Sequence, residues 1–260
     1  MDNPPGLADL LRWYVAMGAD EAIAERPIDR LAPAAAARAQ PPAPATLRPA
    51  IAAATPGSAA TGARQLAAAA TSLAELEAAV RAFDGCALKR TATNTVFADG
   101  ASGAALMVIG EAPGADEDRL GRPFVGRSGQ LLDRMLAAIG YDRRQNAYIT
   151  NVLFWRPPGN RKPTIDEVAA CVPFVRRHIA LLQPKVVMLC GGTATSALLG
   201  RAEGITRLRG RWFELDIEGL DRRIASIATY HPSFLLRAPG RKGEVWRDLL
   251  ALQSKLKDGQ

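Results

Sequence analysis

Apolar residues from about position 71 onward follow two patterns, short continuous runs and helical faces. Most of the continuous runs are separated by segments whose apolar residues recur at helical spacing, as at residues 128–139 and 193–199. Four runs predict buried strands, at residues 105–109, 147–153, 185–190 and 224–230. Strands alternating with helices predict a three-layer α/β/α fold around a short, mostly parallel, four-stranded sheet.

Capping residues mark where the helices of this region begin. Thr164 and Glu167 have the spacing of a capping box, which predicts a helix that runs to about Leu182. Ser72 opens an earlier helix in the same way, and a last helix is predicted over residues 246–256.

The first seventy residues differ from the rest. Residues 1–30 contain apolar positions at helical spacing over residues 7–25, which predicts a short amphipathic helical segment. Residues 31–70 are dominated by Ala and Pro and offer little bulky apolar surface to bury. This composition predicts a disordered linker, followed by an α/β domain over residues 71–260.

Composition limits the class of protein without deciding its function. The chain has 260 residues, 48% of them hydrophobic and 23% charged, as is usual for a globular protein. No apolar run reaches the roughly 18 residues that cross a bilayer, and no secretory signal is visible. Three cysteines suit a reducing compartment rather than a disulfide framework, so we expect a cytoplasmic protein. The net charge of +7 fits a polyanionic partner and equally fits a solvated, arginine-rich surface.

Each predicted strand is followed by an unusual loop. The first strand is followed by GEAPG (110–114), the third by a Gly pair (191–192) and the fourth by HPSFLLR (231–237). The second strand carries Asn151 and is followed by the basic RPPGNRKP (156–163). Because the carboxyl ends of parallel strands meet at one edge of a sheet, these loops predict a single site.

The first loop, GEAPGADEDRLGRPFVGRSG (110–129), carries Glu111, Glu117 and Phe124 in turns shaped by Pro and Gly. Fixed turns hold side chains in place, as a preorganised site requires, and Phe124 is a candidate stacking platform. A phosphate cradle is disfavoured, since the acidic residues would repel phosphate and no Gly-Lys-Ser/Thr follows. A plain tight turn stays open as the alternative.

Asn151 is a carboxamide inside an apolar strand, where an unpaired polar group costs about 1–3 kcal/mol. Its C=O and NH2 suit the edge of a nucleobase. Uracil offers an N3–H donor beside an O4 acceptor, whereas cytosine reverses that pattern. The alternative is an Asn that bonds to the backbone of a neighbouring loop.

His231 follows a strand, and apolar and basic residues come directly after it. Leu235 and Leu236 next to Arg237 are typical of a wedge that enters a base stack while a cation holds phosphate. In the RPPGNRKP loop, Arg156, Arg161 and Lys162 could grip a phosphate backbone. A core histidine and a solvated basic loop are the alternatives.

Three motifs occur in order: GEAPGADEDRLGRPFVGRSGQLL, NVLFWRPPGNRKPT and HPSFLLR. Together they resemble the family 4 uracil-DNA glycosylases over about residues 84–255. The resemblance implies a base-flipping enzyme that hydrolyses the N-glycosidic bond of deoxyuridine in DNA, releases uracil and leaves an abasic site.

The resemblance also implies roles for individual residues. Phe124 stacks on the flipped uracil, Asn151 reads its edge, and His231 stabilises the leaving group at O2. Glu117 matches an acidic position near C5 of the base, and Glu111 matches a position implicated in positioning or activating water. Other branches of the superfamily have Asp where this chain has Ala112, so the water-activating residue is left open. DNA contacts are expected from Arg156, Arg161, Lys162, Ser233, Leu235, Leu236 and Arg237.

One feature departs from the family. Its members hold a [4Fe–4S] cluster with four cysteines, and Cys86 and Cys171 match only two of those positions. Lys89 and Trp155 occupy the other two. Because such a cluster normally takes four ligands, we predict no cluster, no metal and no cofactor. Trp155 is expected to fill the vacated volume by apolar packing.

Other functions remain open at this stage. The chain could remove another deaminated base, such as hypoxanthine or xanthine, or it could be an inactive DNA-binding or polymerase-associated module. We expect a monomer, located inside the cell with the nucleoid, that acts on uracil-containing DNA and has no membrane partner. A protein partner for the N-terminal segment is a further hypothesis, and no residue identifies it.

Overall fold

A computed structural model of the chain describes residues 56–257, so the helix predicted over residues 7–25 and the first part of the predicted linker lie outside the described residues. The helices of the described part are α1 (Pro56–Ala69), α2 (Leu73–Ala82), α3 (Ala115–Leu120), α4 (Arg127–Ala137), α5 (Ile165–Leu182), α6 (Gly192–Leu199), α7 (Ile205–Leu208), α8 (Pro232–Arg237) and α9 (Lys242–Lys257). The strands are β1 (Ala98–Gly100), β2 (Leu106–Gly110), β3 (Ala147–Asn151), β4 (Val186–Cys190), β5 (Trp212–Leu215) and β6 (Ile224–Thr229). Single 3₁₀ turns cover Ala87–Arg90, Pro158–Asn160 and Pro239–Arg241.

The strands form one sheet in the order β1-β3-β2-β4-β6-β5. The four predicted strands, β2, β3, β4 and β6, are its parallel centre. The predicted number of strands is wrong, because β1 and β5 add an antiparallel strand at each edge. Both are short, and β5 is largely exposed, so neither carries the continuous apolar run of a central strand.

Side chains of the central strands point alternately to the two faces of the sheet, and this produces the predicted three layers. In β2, Met107 and Ile109 face a core formed with α1, α2, α5 and α6. Leu106 and Val108 face a second core, formed with α4, α8 and α9. Because successive side chains of a strand point to opposite faces, a fully apolar strand predicts helices on both sides of the sheet, and the α/β/α fold is confirmed.

Helix α1 (Pro56–Ala69) corrects the last part of the disordered linker that was predicted over residues 31–70. Pro56 fits the first turn of a helix, where its missing N–H costs nothing, and alanine has the best helix propensity. Ala63 and Ala67 are buried in the core, and α1 packs against α5. The small side chains of the alanines thus let the two helices approach closely. A search for bulky apolar residues in the sequence does not detect a helix that packs in this way.

Helix α5 begins as its capping box predicts. The Thr164 hydroxyl accepts from the Glu167 N–H, and the Glu167 carboxylate accepts from the Thr164 N–H at 2.8 Å. The helix ends at Leu182, with Gln183 in the left-handed conformation. Within residues 56–257, no helix combines the length and the hydropathy that a membrane span requires.

Candidate active site

The carboxyl ends of the four parallel strands surround one cavity of about 870 Å³. The register pairs Gly110 with Asn151 and Cys190 with Thr229, so the loops that follow start side by side. Of the residues predicted from sequence, the cavity brings together Glu111, Ala112, Glu117, Phe124, Asn151, Arg161, Lys162, His231, Ser233 and Arg237.

Phe124 forms part of the cavity wall in a left-handed backbone conformation, with φ 53°. Gly110 makes room for it. A Cβ at Gly110 would lie 2.5 Å from the Phe124 ring and 2.4 Å from the Asn151 Oδ1 atom. The missing side chain at the end of β2 therefore lets an aromatic ring and a carboxamide meet at one wall.

Asn151 ends β3 and is 2% exposed. Its Oδ1 atom is buried and has no hydrogen-bond partner among the described residues. The alternative of a carbonyl satisfied by a neighbouring loop therefore does not hold. A buried acceptor without a donor costs about 1–3 kcal/mol, so it points to a donor supplied from outside the chain.

His231 caps the N-terminus of α8. The Ser233 N–H donates to the His231 Nδ1 atom at 3.2 Å, and the Ser233 hydroxyl lies 2.8 Å from the same atom. Because Nδ1 accepts, the proton of the neutral ring resides on Nε2. Burial, and secondarily the charge of Arg237, lowers the pKa of His231 to about 4. At neutral pH the ring is therefore an uncharged Nε2–H donor.

Glu111 follows β2 and is half-buried in the cavity wall. One of its carboxylate oxygens, Oε2, accepts a hydrogen bond from the Thr193 hydroxyl. Its backbone carbonyl accepts from the Leu153 N–H at 3.0 Å, which ties the loop after β2 to the loop after β3.

Glu117 shapes the first loop. Its Oε1 atom accepts from the N–H groups of Val125 and Gly126, each at 2.9 Å, and its Oε2 atom accepts from the Gly114 N–H at 3.1 Å. The carboxylate therefore joins the two ends of the turn that carries Phe124. It lines the cavity, but its oxygens are already engaged with the backbone.

Basic side chains stand at the cavity mouth. Lys162 and Arg237 line it and form no ion pair within residues 56–257, whereas Arg161 pairs with Glu167 at 2.6 Å. Arg156 does not line the cavity, and its guanidinium donates to the Asn160 side chain.

Two residues that were predicted to contact DNA, Leu235 and Ser233, make contacts within the protein. Leu235 is 1% exposed and packs in the second core, since α8 turns this side chain toward α4 and α9. Leu236, in contrast, is 39% exposed. Ser233 directs its hydroxyl to His231, so its first contact is with the imidazole.

The cavity-wall residues that sequence reasoning missed include Thr193 and Tyr230. Thr193 lies in a short helix whose sequence carries no chemical motif. Its significance depends on a contact with Glu111, 82 positions away, which no local pattern reveals.

The four positions that the resemblance assigns to cluster ligands, Cys86, Lys89, Trp155 and Cys171, are here called the cysteine corner. Cys86 and Cys171 are buried and adjacent: the hydrogen bond from Cys171 lowers the pKa of Cys86, and that contact and burial raise the pKa of Cys171. Lys89 pairs with Asp84 at 2.7 Å.

Trp155 is packed in the interior of the protein. It is 1% exposed, belongs to the same core as the two cysteines, and donates its indole N–H to the Thr95 hydroxyl at 3.0 Å. Within residues 56–257 no three His, Cys, Asp or Glu side chains are grouped to hold a metal ion. Two thiols, an indole and an ion-paired ammonium do not fit a four-thiolate cluster.

Comparison with known proteins agrees with this geometry. Residues 97–250 match the sequence model of the uracil DNA glycosylase superfamily. The chain is 38% identical to a type-4 uracil-DNA glycosylase of Pyrobaculum aerophilum over 68% of its own length and 91% of the relative's. It is 40% identical to the type-4 enzyme of Archaeoglobus fulgidus (63% and 82% covered) and 41% identical to that of Thermotoga maritima (64% and 82% covered). The predicted family is confirmed, and the chain belongs to the uracil DNA glycosylase superfamily.

Proposed function

We propose that the protein is a uracil-DNA glycosylase, which flips deoxyuridine out of DNA and hydrolyses its N-glycosidic bond. The observation that carries the proposal is the buried, unpaired Oδ1 atom of Asn151 in the wall of the cavity. The N3–H of uracil would donate to this oxygen while the amide NH2 donates to O4. Cytosine has an acceptor at N3 and a donor at C4, so it would meet the amide with both groups reversed.

The remaining groups fit the same base. Stacking on Phe124 would offset part of the cost of removing the nucleotide from the duplex. The Nε2–H of His231 would donate to uracil O2, where negative charge develops as the C1′–N1 bond breaks and its electron pair moves to the base. The low pKa of the His231 imidazolium suits this role. It keeps the ring uncharged at neutral pH, so that the Nε2–H group stabilises the anion by a hydrogen bond without transferring its proton.

Water completes the reaction. As C1′ gains oxocarbenium character, the carboxylate of Glu111 would stabilise it and accept a proton from the attacking water. The oxygen of that water becomes the C1′ hydroxyl of the abasic sugar, and the proton is returned to the uracil anion. None of these steps requires a cofactor, and we propose that the enzyme works without an iron–sulfur cluster.

DNA would be held at the cavity mouth by Lys162, Arg237 and the loop that carries Arg156 and Arg161, with Leu236 in the gap that the base leaves. Glu117 would lie near C5 of the base, and Ala112 would contact the base from the cavity wall. Action as a monomer, an intracellular location and a partner for the N-terminal segment stay predictions from the sequence.

The test is cleavage of a labelled oligonucleotide with one deoxyuridine, followed by alkali to break abasic sites. We expect strand breakage at uracil and none with thymine at the same position. Parallel substrates with hypoxanthine or xanthine test the alternative bases. Breakage at one of these but not at uracil would contradict the proposal, and binding without breakage of any substrate would favour an inactive DNA-binding module.

A further inference from the structure

The turn between β4 and α6 occupies the middle of the site. Strand β4 lies between β2, which leads to Glu111, and β6, which leads to His231. Gly191, with φ 94°, starts this turn, and a Cβ placed on it would lie 3.1 Å from the His231 Cβ atom. The turn therefore packs closely against one catalytic loop while the next residues face the other.

Thr193 is the residue of this turn that reaches the acidic loop. It is half-buried and lines the cavity, and its hydroxyl donates a hydrogen bond to the Oε2 atom of Glu111. Within the described part of the chain, no other side chain bonds to the Glu111 carboxylate, and its Oε1 atom has no hydrogen bond there.

A threonine in the first turns of a helix commonly bonds to the helix's own backbone. Thr195, two residues further on, does so by donating to the Gly191 carbonyl at 2.8 Å. Thr193 instead bonds across the sheet edge to another loop. The contact thus orients a cavity carboxylate rather than capping a helix.

We propose that Thr193 is a positioning residue that fixes the Glu111 carboxylate for the attacking water. Holding Oε2 restricts rotation of the carboxylate in the cavity wall and leaves Oε1 without a partner, so that it can accept the water's proton. A flexible carboxylate would spend less time in that orientation, and misplacement of a reacting group lowers the rate. The inference rests on the proposed glycosylase function and on the role of Glu111 within it.

The test measures single-turnover uracil release by the full-length protein and four variants: Thr193→Val, Thr193→Ser, Glu111→Gln and the Thr193→Val/Glu111→Gln double variant. Valine keeps the shape of threonine but removes the donor, and we expect it to lower the maximal rate about 10-fold, as loss of a hydrogen bond to a charged group does. The DNA concentration for half-maximal rate should change less than about 2-fold, because the proposed role of this hydrogen bond is in the attack of water rather than in DNA binding. Serine should restore the rate to within about 3-fold of wild type.

The double variant separates positioning from a structural effect. If Thr193 acts through Glu111, valine should cost less than about 2-fold when Glu111 is already Gln. Thr195→Val is the matched control, since it removes a buried hydroxyl from the same helix, and it should retain the wild-type rate within about 3-fold.

Several outcomes would overturn the inference while leaving the glycosylase function intact. These are full activity of Thr193→Val, no rescue by serine, an equal loss in both Glu111 backgrounds, or a Glu111→Gln variant as active as wild type. A wild-type protein that releases no uracil would instead overturn the proposed function itself, so the two failures are distinguishable.

Discussion

The central cavity and the cysteine corner treat buried polar groups in opposite ways. In the cavity wall, the Asn151 Oδ1 atom is buried without a partner. In the corner, the Trp155 indole donates to Thr95, Lys89 pairs with Asp84, and the two thiols contact each other. The cavity thus contains a polar atom without a partner, whereas the polar side chains of the cysteine corner named above have partners within the protein.

This difference indicates what each region is for. An unpaired buried acceptor reduces stability, so its presence beside Phe124 and His231 is explained by a ligand that pairs with it. A corner whose side chains are packed and paired within the protein contributes to stability. Substitutions should therefore separate the two regions, with stability changing in the corner and activity changing in the cavity.

The largest expected effect is on the corner. Trp155→Ala should lower the free energy of unfolding by about 3–5 kcal/mol, because it leaves a cavity where a fully buried indole was. Urea denaturation followed by circular dichroism measures this change. Trp246, 42% exposed, provides the matched control, and its replacement by Ala should cost less than about 1 kcal/mol. Similar losses for both tryptophans would show that Trp155 is not the packing element described.

In the cavity, Asn151→Ala and His231→Ala should each lower single-turnover uracil release about 100-fold or more, since in the proposed mechanism both side chains donate hydrogen bonds to the base as it becomes an anion. Asn151→Ala should leave the free energy of unfolding equal or higher, because it removes the unpaired acceptor. Comparison of the rate with the urea midpoint tests both statements. Loss of rate together with loss of folding would remove the distinction between the two regions.

Acid should destabilise the protein through its buried histidines. Burial lowers the pKa of His178 to about 3 and, with Arg237, that of His231 to about 4, both below the usual 6.5. The unfolded chain therefore binds protons first, and stability present above pH 6.5 is lost as pH falls toward 4. For His231, the loss should be about 1 kcal/mol per pH unit between pH 6.5 and 5.

His231→Asn isolates the contribution of that ring, because it removes the titrating group and leaves His178 in place. Urea unfolding at pH 6.5, 5.8 and 5 should give a shallower pH dependence for the variant than for wild type. The same dependence of the unfolding free energy on pH in the variant and in wild type would contradict the assignment of a lowered pKa to His231.

The smallest effect is expected at Lys89. Its partner Asp84 is 87% exposed, and ion pairs at a protein surface contribute at most about 1 kcal/mol. Lys89→Ala should therefore change the urea midpoint little and leave the rate of uracil release unchanged. A large loss of stability would mean that Lys89 has a role in the corner beyond this pair.

Local signals in the sequence predict most of the fold. Continuous apolar runs identify the four parallel strands, and the Thr164 capping box locates the start of α5. Edge strand β1 has three residues and α1 packs through alanines, so neither leaves an apolar signal of the usual kind.

The site was predictable where a residue is unusual in its own segment, as Asn151 is in an apolar strand. It was not predictable where a role depends on a tertiary contact. The bond from Thr193 to Glu111 and the inward turn of Leu235 depend on elements distant in the chain, which the spacing of residues does not encode.

The most direct test of the central claim is a crystal structure of the protein with uracil bound. We expect the base against Phe124, its N3–H within hydrogen-bonding distance of the Asn151 Oδ1 atom and its O2 within that distance of the His231 Nε2 atom. Uracil bound elsewhere, or in the cavity with Asn151 still unpaired, would contradict the account.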